Sequence, residues 1–183
     1  MSIQRQIALL RGVNVGRAKR IAMADLRKVL GELGFTDVRT LLNSGNAVYD
    51  CPAHDAALSA VRIEEALVLK LGVPARVTVL DAQQLADVVD GNPLLDVAAD
   101  PARLMVAVLS NPADRERLEP LVHQPWQPEA FALGQWCAYV WCADGVLASH
   151  AAAAMGNVLG DAVTTRNWST ITKLHALARG DTT

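Results

Sequence analysis

Aromatic residues are scarce in this chain: Phe, Trp and Tyr together make up 4% of its 183 residues. A core built mostly from Leu, Val, Ile and Ala follows. Cysteine is rarer still. Cys51, Cys137 and Cys142 are odd in number, which excludes a complete disulfide framework, and their spacing matches no metal site. Cys137 and Cys142 lie in one strand pattern at a separation that points them to opposite faces. Free, buried thiols in a reducing cytoplasm are therefore expected. No apolar run approaches the ~20 residues of a membrane-spanning helix. The N-terminal apolar run, Ile7 to Leu10, stops at Arg11 and is too short for a signal-peptide core. These absences predict a cytoplasmic protein with no membrane partner. Neither charge sign dominates: 17 Lys and Arg stand against 19 Asp and Glu, for a net charge of -2. That balance argues against a surface that grips nucleic acid throughout, although a local basic patch survives on such a background.

What is present is an ordinary globular composition, 51% hydrophobic and 20% charged. A chain of this length suits one domain or two small ones, and folding buries roughly 70% of the surface the unfolded chain exposes. The pattern reads as strand (Gln4 to Leu10), helix (Met23 to Leu33), strand (Asp37 to Asn43), tight turn, strand (Ala47 to Asp50), helix (Asp55 to Leu71) and strand (Ala75 to Leu80). Leu26, Val29, Leu30 and Leu33 recur at helical spacing, and Gly34 ends the run. This is the order of a ferredoxin-like βαββαβ unit. A short helix follows from Ala82 to Val89. The theme then restarts: strand Arg103 to Leu109, helix Asp114 to Val122, a strand pair around Gly134, a helix from Ala151 to Leu159, a short strand at Ala162-Val163-Thr164, and a last helix from Asn167 to Ala178. The expected fold is α+β, two ferredoxin-like halves packed together, with residues 1–95 forming the first and 96–183 the second.

The most suggestive segment is Arg11-Gly12-Val13-Asn14-Val15-Gly16-Arg17-Ala18-Lys19-Arg20, which holds four cations, two glycines and no acid. It leaves a strand and enters a helix, where backbone N–H groups and the helix dipole favour anions. In a ferredoxin-like unit the first two strands run parallel and end at the same edge of the sheet. The loop therefore lies beside the turn Asn43-Ser44-Gly45-Asn46. A third motif is Thr164-Thr165-Arg166-Asn167-Trp168, where Thr165 or Asn167 caps the last helix and Arg166, Thr170 and Lys173 share a helix face.

Together these residues resemble a known family. Leu9 through Gly16, Met23 through Leu26, Gly34-Phe35 through Thr40, Ser44-Gly45-Asn46, Thr165-Arg166-Asn167-Trp168 and Thr172-Lys173-Leu174 are similar, in order and over nearly the whole chain, to the family called domain of unknown function 1697. The resemblance implies an α+β protein with ferredoxin-like halves and implies no activity. Where the family usually has a second glycine after Gly16, this chain has Arg17, which makes the loop stiffer and more cationic.

The candidate ligand-binding set is Arg11, Gly12, Asn14, Gly16, Ser44, Asn46, Thr165, Arg166, Asn167 and Lys173. The loop lacks the Gly-Lys-Ser/Thr ending of a P-loop and the Gly-x-Gly-x-x-Gly of a dinucleotide site. Ser44 has no nucleophile elbow around it. His54, His123, His150 and His175 form no metal pair at helical spacing, and Glu64-Glu65 reads as solvated. The sequence therefore assigns no catalytic residue, metal or cofactor, and leaves open whether the protein is an enzyme. Asn46 reads first as a turn residue, whereas Asn14 is open between turn and ligand roles. Tyr139 and Trp141 share a strand face with Cys137; sheet packing is preferred for them over a base-stacking platform. Three functions are weighed. Foremost is a binding module or enzyme for a phosphorylated or carboxylated small molecule. Close behind is a non-catalytic interaction protein whose polar motifs form a structural network. Weak, salt-sensitive nucleic-acid binding comes last.

Overall fold

A computed structural model describes residues 2–181. The first sheet is formed by β1 (Ile3–Leu10), β2 (Thr36–Leu41), β3 (Asn46–Pro52) and β4 (Val77–Asp81) in the order β2-β3-β1-β4, every neighbouring pair antiparallel. Helices α1 (Met23–Glu32) and α2 (Ala56–Leu71) are its two crossovers. The alternation of β1 decides which side they cover: Ala8 and Leu10 join Ala47, Tyr49 and Cys51 of β3 against Leu26 and Leu30 of α1 and Ile63 and Leu67 of α2. Phe35 stacks on Tyr49 with centroids 4.4 Å apart, so one of the few aromatic pairs sits in this core. Gly34, at φ +88°, closes α1: its N–H donates to Gly31 O while that of Phe35 donates to Leu30 O. Asp55 caps α2 by accepting from the N–H of Ala57.

The second sheet repeats the topology. β5 (Leu104–Leu109), β6 (Ala130–Leu133), β7 (Cys137–Trp141) and β8 (Val163–Asn167) stand in the order β6-β7-β5-β8, again antiparallel throughout. Its crossovers are α4 (Arg115–Val122) and α5 (His150–Leu159), whose Leu118, Leu121, Ala151, Met155 and Leu159 pack on Ala107, Ala138 and Val140. Two further helices, α3 (Ala82–Asp90) and α6 (Trp168–Ala178), each follow a sheet's last strand without a break. The expected two ferredoxin-like halves are thus present.

By contacts the chain divides into two compact units: described residues 2–85 with 174–181, and residues 86–173. Each unit is completed by chain from beyond its own βαββαβ run. In the first, Arg5 Nη1 donates to Ala178 O of α6 (3.4 Å). In the second, Tyr139 Oη donates to Val88 O of α3 (2.7 Å). Tyr139 and Cys137 are fully buried by this packing, so the face they share is sheet interior and not an exposed aromatic platform. All three cysteines are free and buried, and Cys142 lies in the α4–α5 core while Cys137 takes the other face. Among the described residues no helix is long and apolar enough to cross a membrane.

Candidate functional site

The loop after β1 is organised by Asn14. Its side-chain Nδ2 donates to Ile21 O (2.8 Å) and to Asn43 O (2.7 Å), and its Oδ1 accepts from the N–H of Ile21 (2.9 Å). Its own N–H donates to Lys19 O (3.0 Å). One amide thus closes the loop from residue 14 to 21 and fastens it to the β2–β3 turn. Both side-chain hydrogens are committed, which makes Asn14 a positioning residue for the loop. It adopts φ +56°, a left-handed conformation that Asn tolerates better than most residues.

The turn comes equally close from the other side. Leu10 N–H donates to Gly45 O (2.8 Å). A Cβ on Gly45 would lie 2.7 Å from Leu10 Cβ and 2.8 Å from Val13 Cγ2, and its φ is +86°. Only glycine meets both demands. Asn46 is fully buried, and its Nδ2 donates to Leu41 O (2.9 Å) and Ser44 Oγ (2.8 Å). It is the first residue of β3 and serves the turn, as its residue type predicts. Ser44 Oγ acts here as an acceptor within the turn.

Electrostatically the loop is one-sided. Arg17, Lys19 and Arg20 are exposed and enter no ion pair among the described residues, while Arg11 at the loop's base is half-buried. The loop delivers the chain to α1, whose N-cap position is Ala22 and whose first turn carries no side-chain cap. Gly12 and Gly16 are both exposed and left-handed. Arg11, Gly12, Asn14, Gly16, Ser44 and Asn46 therefore lie together at one edge of the first unit.

The second motif requires a correction. Strand β8 does not stop at Thr164; it runs to Asn167, with Thr165 opposite Ala107 and Arg166 opposite Val106. Arg166 is therefore a strand residue and does not share a helix face with Thr170 and Lys173. The sequence Thr-Thr-Arg-Asn has no apolar alternation, so only pairing with β5 reveals it as strand. Asn167 does cap α6, accepting from the N–H of Thr170 (2.9 Å). Burial lowers the Arg166 guanidinium to about 10, still cationic at neutral pH, and its Nη1 donates to Thr165 O (3.0 Å). Thr165 is half-buried and Lys173 exposed.

Glu64 also differs from expectation. It is not simply solvated: its carboxylate accepts from the N–H of Val77 (2.9 Å) and lies 3.8 Å from Arg76, tying α2 to β4, whereas Glu65 is exposed.

Sequence reasoning passed over two clusters. Arg5 pairs across the sheet with Asp50 (Nε–Oδ1 2.7 Å) and reaches Asp37 (Nη2–Oδ2 2.7 Å). The Arg5 hydrogen bond holds the Asp50 carboxyl below its ordinary value, and burial opposes it. The signal was the cross-strand register Arg5 to Asp50, visible only once β1 and β3 are aligned. A second cluster is buried under α2: Tyr49 Oη (3.1 Å) and Ser59 Oγ (2.6 Å) both donate to Gln6 Oε1, and His54 Nε2 lies 2.7 Å from Ser59 Oγ. Ser59 and Gln6 are fully buried, so this network is structural.

Comparison with known proteins agrees with this architecture. No curated protein matches the chain. Among solved structures, the conserved bacterial protein SP0830 from Streptococcus pneumoniae is similar at 21% identity and a TM-score of 0.78, over 97% of this chain and 99% of that one, which is a likeness of fold. A family model described as "Protein of unknown function (DUF1697)" matches residues 3–139. That span takes in the cationic loop, its neighbouring turn, the whole first sheet and most of the second, and the chain belongs to the DUF1697 family.

Proposed function

We propose that the edge of the first unit formed by residues 11–20 and the 43–46 turn binds a small anionic molecule, phosphorylated or carboxylated. The observation that carries this reading is the pairing of a fixed backbone with uncommitted charge: Asn14 anchors the loop through its own hydrogen bonds, yet Arg17, Lys19 and Arg20 remain exposed and, among the described residues, meet no carboxylate. A charge-assisted hydrogen bond contributes about 1.5–3 kcal/mol. Two or three of them, with Arg11 at the base and the first amides of α1 behind, suffice for a small ligand after the cost of association. A thermal-shift screen of inorganic phosphate, pyrophosphate, nucleotides, phosphosugars and dicarboxylates tests this. Ligand at a hundredfold excess over Kd adds about 2.7 kcal/mol of stability, a rise of several degrees in Tm. The rise is expected to vanish in the triple variant Arg17→Gln, Lys19→Gln, Arg20→Gln, with Tm unchanged when ligand is absent. A screen in which no anion raises Tm overturns the reading.

A second reading, a non-catalytic interaction protein with a structural polar network, draws on the committed side chains of Asn14 and Asn46 and on the half-buried Arg166, whose Nη1 donates to Thr165 O. It is favoured if those positions matter only for stability and the three exposed cations matter for nothing. Nucleic-acid binding ranks last and would show as affinity that falls steeply with salt.

A further inference from the structure

Helix α2 faces solvent with the wrong chemistry. Its inward residues Ser59, Ile63, Ala66 and Leu67 are buried, as a crossover helix requires. Its outward residues are Ala57, Leu58, Val61, Glu65, Val68 and Leu69, five of them apolar. Leu58, Val61 and Val68 are each about half exposed and Leu69 is 85% exposed. The outward face of α1, by contrast, carries Asp25, Arg27, Lys28 and Glu32, and that of α4 carries Glu116 and Arg117. The α2 stripe exposes apolar side chain on the order of 400 Å², comparable to the largest patch on a typical monomer, and such patches commonly mark interaction sites.

We infer that this face pairs with the same face of a second copy, as an antiparallel two-fold helix pair. The register of the stripe supports that occupant. A two-fold interface must be complementary to itself. Reversing α2 about Ile63 maps the set onto itself: Ala57 onto Leu69, Leu58 onto Val68, Val61 onto Glu65. The single acid in the stripe then lies over Val61 of the other helix with Arg62, the next residue along, beside it, and symmetry makes this contact twice. Arg62 is half-buried, with Nη2 donating to Leu33 O (2.9 Å) and its guanidinium 5.4 Å from the Phe35 ring centroid, so its charge is held in place. The area sets the strength. Two such stripes bury roughly 800 Å² before flanking residues are added, short of the ~1,200–2,000 Å² of stable complexes. The pair is therefore a weak dimer whose population depends on concentration.

Sedimentation velocity over ~1–500 μM protein tests this. The expected result is a shift from the 19.6 kDa monomer toward twice that mass as concentration rises. Leu58→Glu with Leu69→Glu is expected to abolish the shift while far-UV circular dichroism and Tm stay those of the parent. Register is read by oxidation, since the native thiols are all buried. A mixture of Val61→Cys and Glu65→Cys proteins is expected to cross-link, and each alone is not. A monomer at every concentration overturns the inference, as does a dimer that survives both glutamates or cross-linking of Val61→Cys alone. Co-sedimentation of a monomeric protein with lipid vesicles, lost on Leu69→Glu, also overturns it and assigns the face to a bilayer.

Discussion

At the scale of single residues, the loop edge proposed to bind an anion depends on the Asn14 amide and on the absence of a side chain at Gly45. Replacing Asn14 by Ala removes three side-chain hydrogen bonds and places a Cβ-bearing residue with no compensating polar group at φ +56°. Urea unfolding is expected to show a loss of about 2–4 kcal/mol. Gly45→Ala meets backbone strain and the Leu10 and Val13 side chains at once, whereas Gly16→Ala, with nothing within 4 Å, meets strain alone. The first is expected to cost about 2–5 kcal/mol and the second about 1–2. Equal costs would show that the turn is not packed against β1. The Arg5 cluster makes a pH prediction. The Asp50 carboxyl is lowered in the folded state, so its contribution is complete above its unfolded value, near 3.8, and is lost as pH falls through the lower folded value. Arg5→Ala is expected to lower stability at pH 7 by on the order of 2 kcal/mol and to flatten the acid limb of the stability profile below pH ~4. The thiols complete this scale. Burial pushes Cys137 up to about 12 and raises Cys51 and Cys142, so a thiol reagent at pH 8 is expected to label none of them until the protein unfolds.

Elements were largely readable in the chain because their apolar residues recur with the right period. Leu26, Val29 and Leu30 mark α1, and Ile7 to Leu10 mark a strand buried on both faces. What was not readable depended on partners distant in sequence. Strand β8 carries Thr164, Thr165, Arg166 and Asn167, a run that reads as a helix cap until β5 pairs with it. Asp37 reaches Arg5 through an irregularity in the β2–β3 register, where it takes φ +47°. The start of α5 is a further case. Ser149 caps it by accepting from the N–H of Ala152 (3.0 Å), and Glu129, twenty residues earlier in the chain, receives the Ser149 hydroxyl and the N–H of His150. Ser149→Ala is expected to cost about 1–2 kcal/mol, and Glu129→Gln less, because Gln keeps an acceptor oxygen. A larger cost for Glu129→Gln would mean that its charge, acting on the helix dipole, matters more than the hydrogen bond.

For the whole molecule, the repeated βαββαβ order was legible, but which residues complete each unit was not. The periodicity of α6 announces a helix without saying that its residues from 174 onward belong with the first unit. A fragment ending at residue 95 lacks those residues, including the acceptor of Arg5 at Ala178. It is expected to show lower amide protection in β1 than the full chain by hydrogen exchange, and equal protection would show that the first unit is self-sufficient. Net charge also acts at this scale. At -2 the molecule has no global attraction for polyanions, so the small-anion binding proposed above rests on the local loop. The most direct measurement of that claim is a backbone amide NMR titration of the full protein with pyrophosphate at moderate salt. Saturable shifts confined to residues 11–25 and 43–46, absent in the Arg17, Lys19, Arg20 triple variant, are predicted; no saturable shifts, or shifts centred elsewhere and unaltered in that variant, would contradict it.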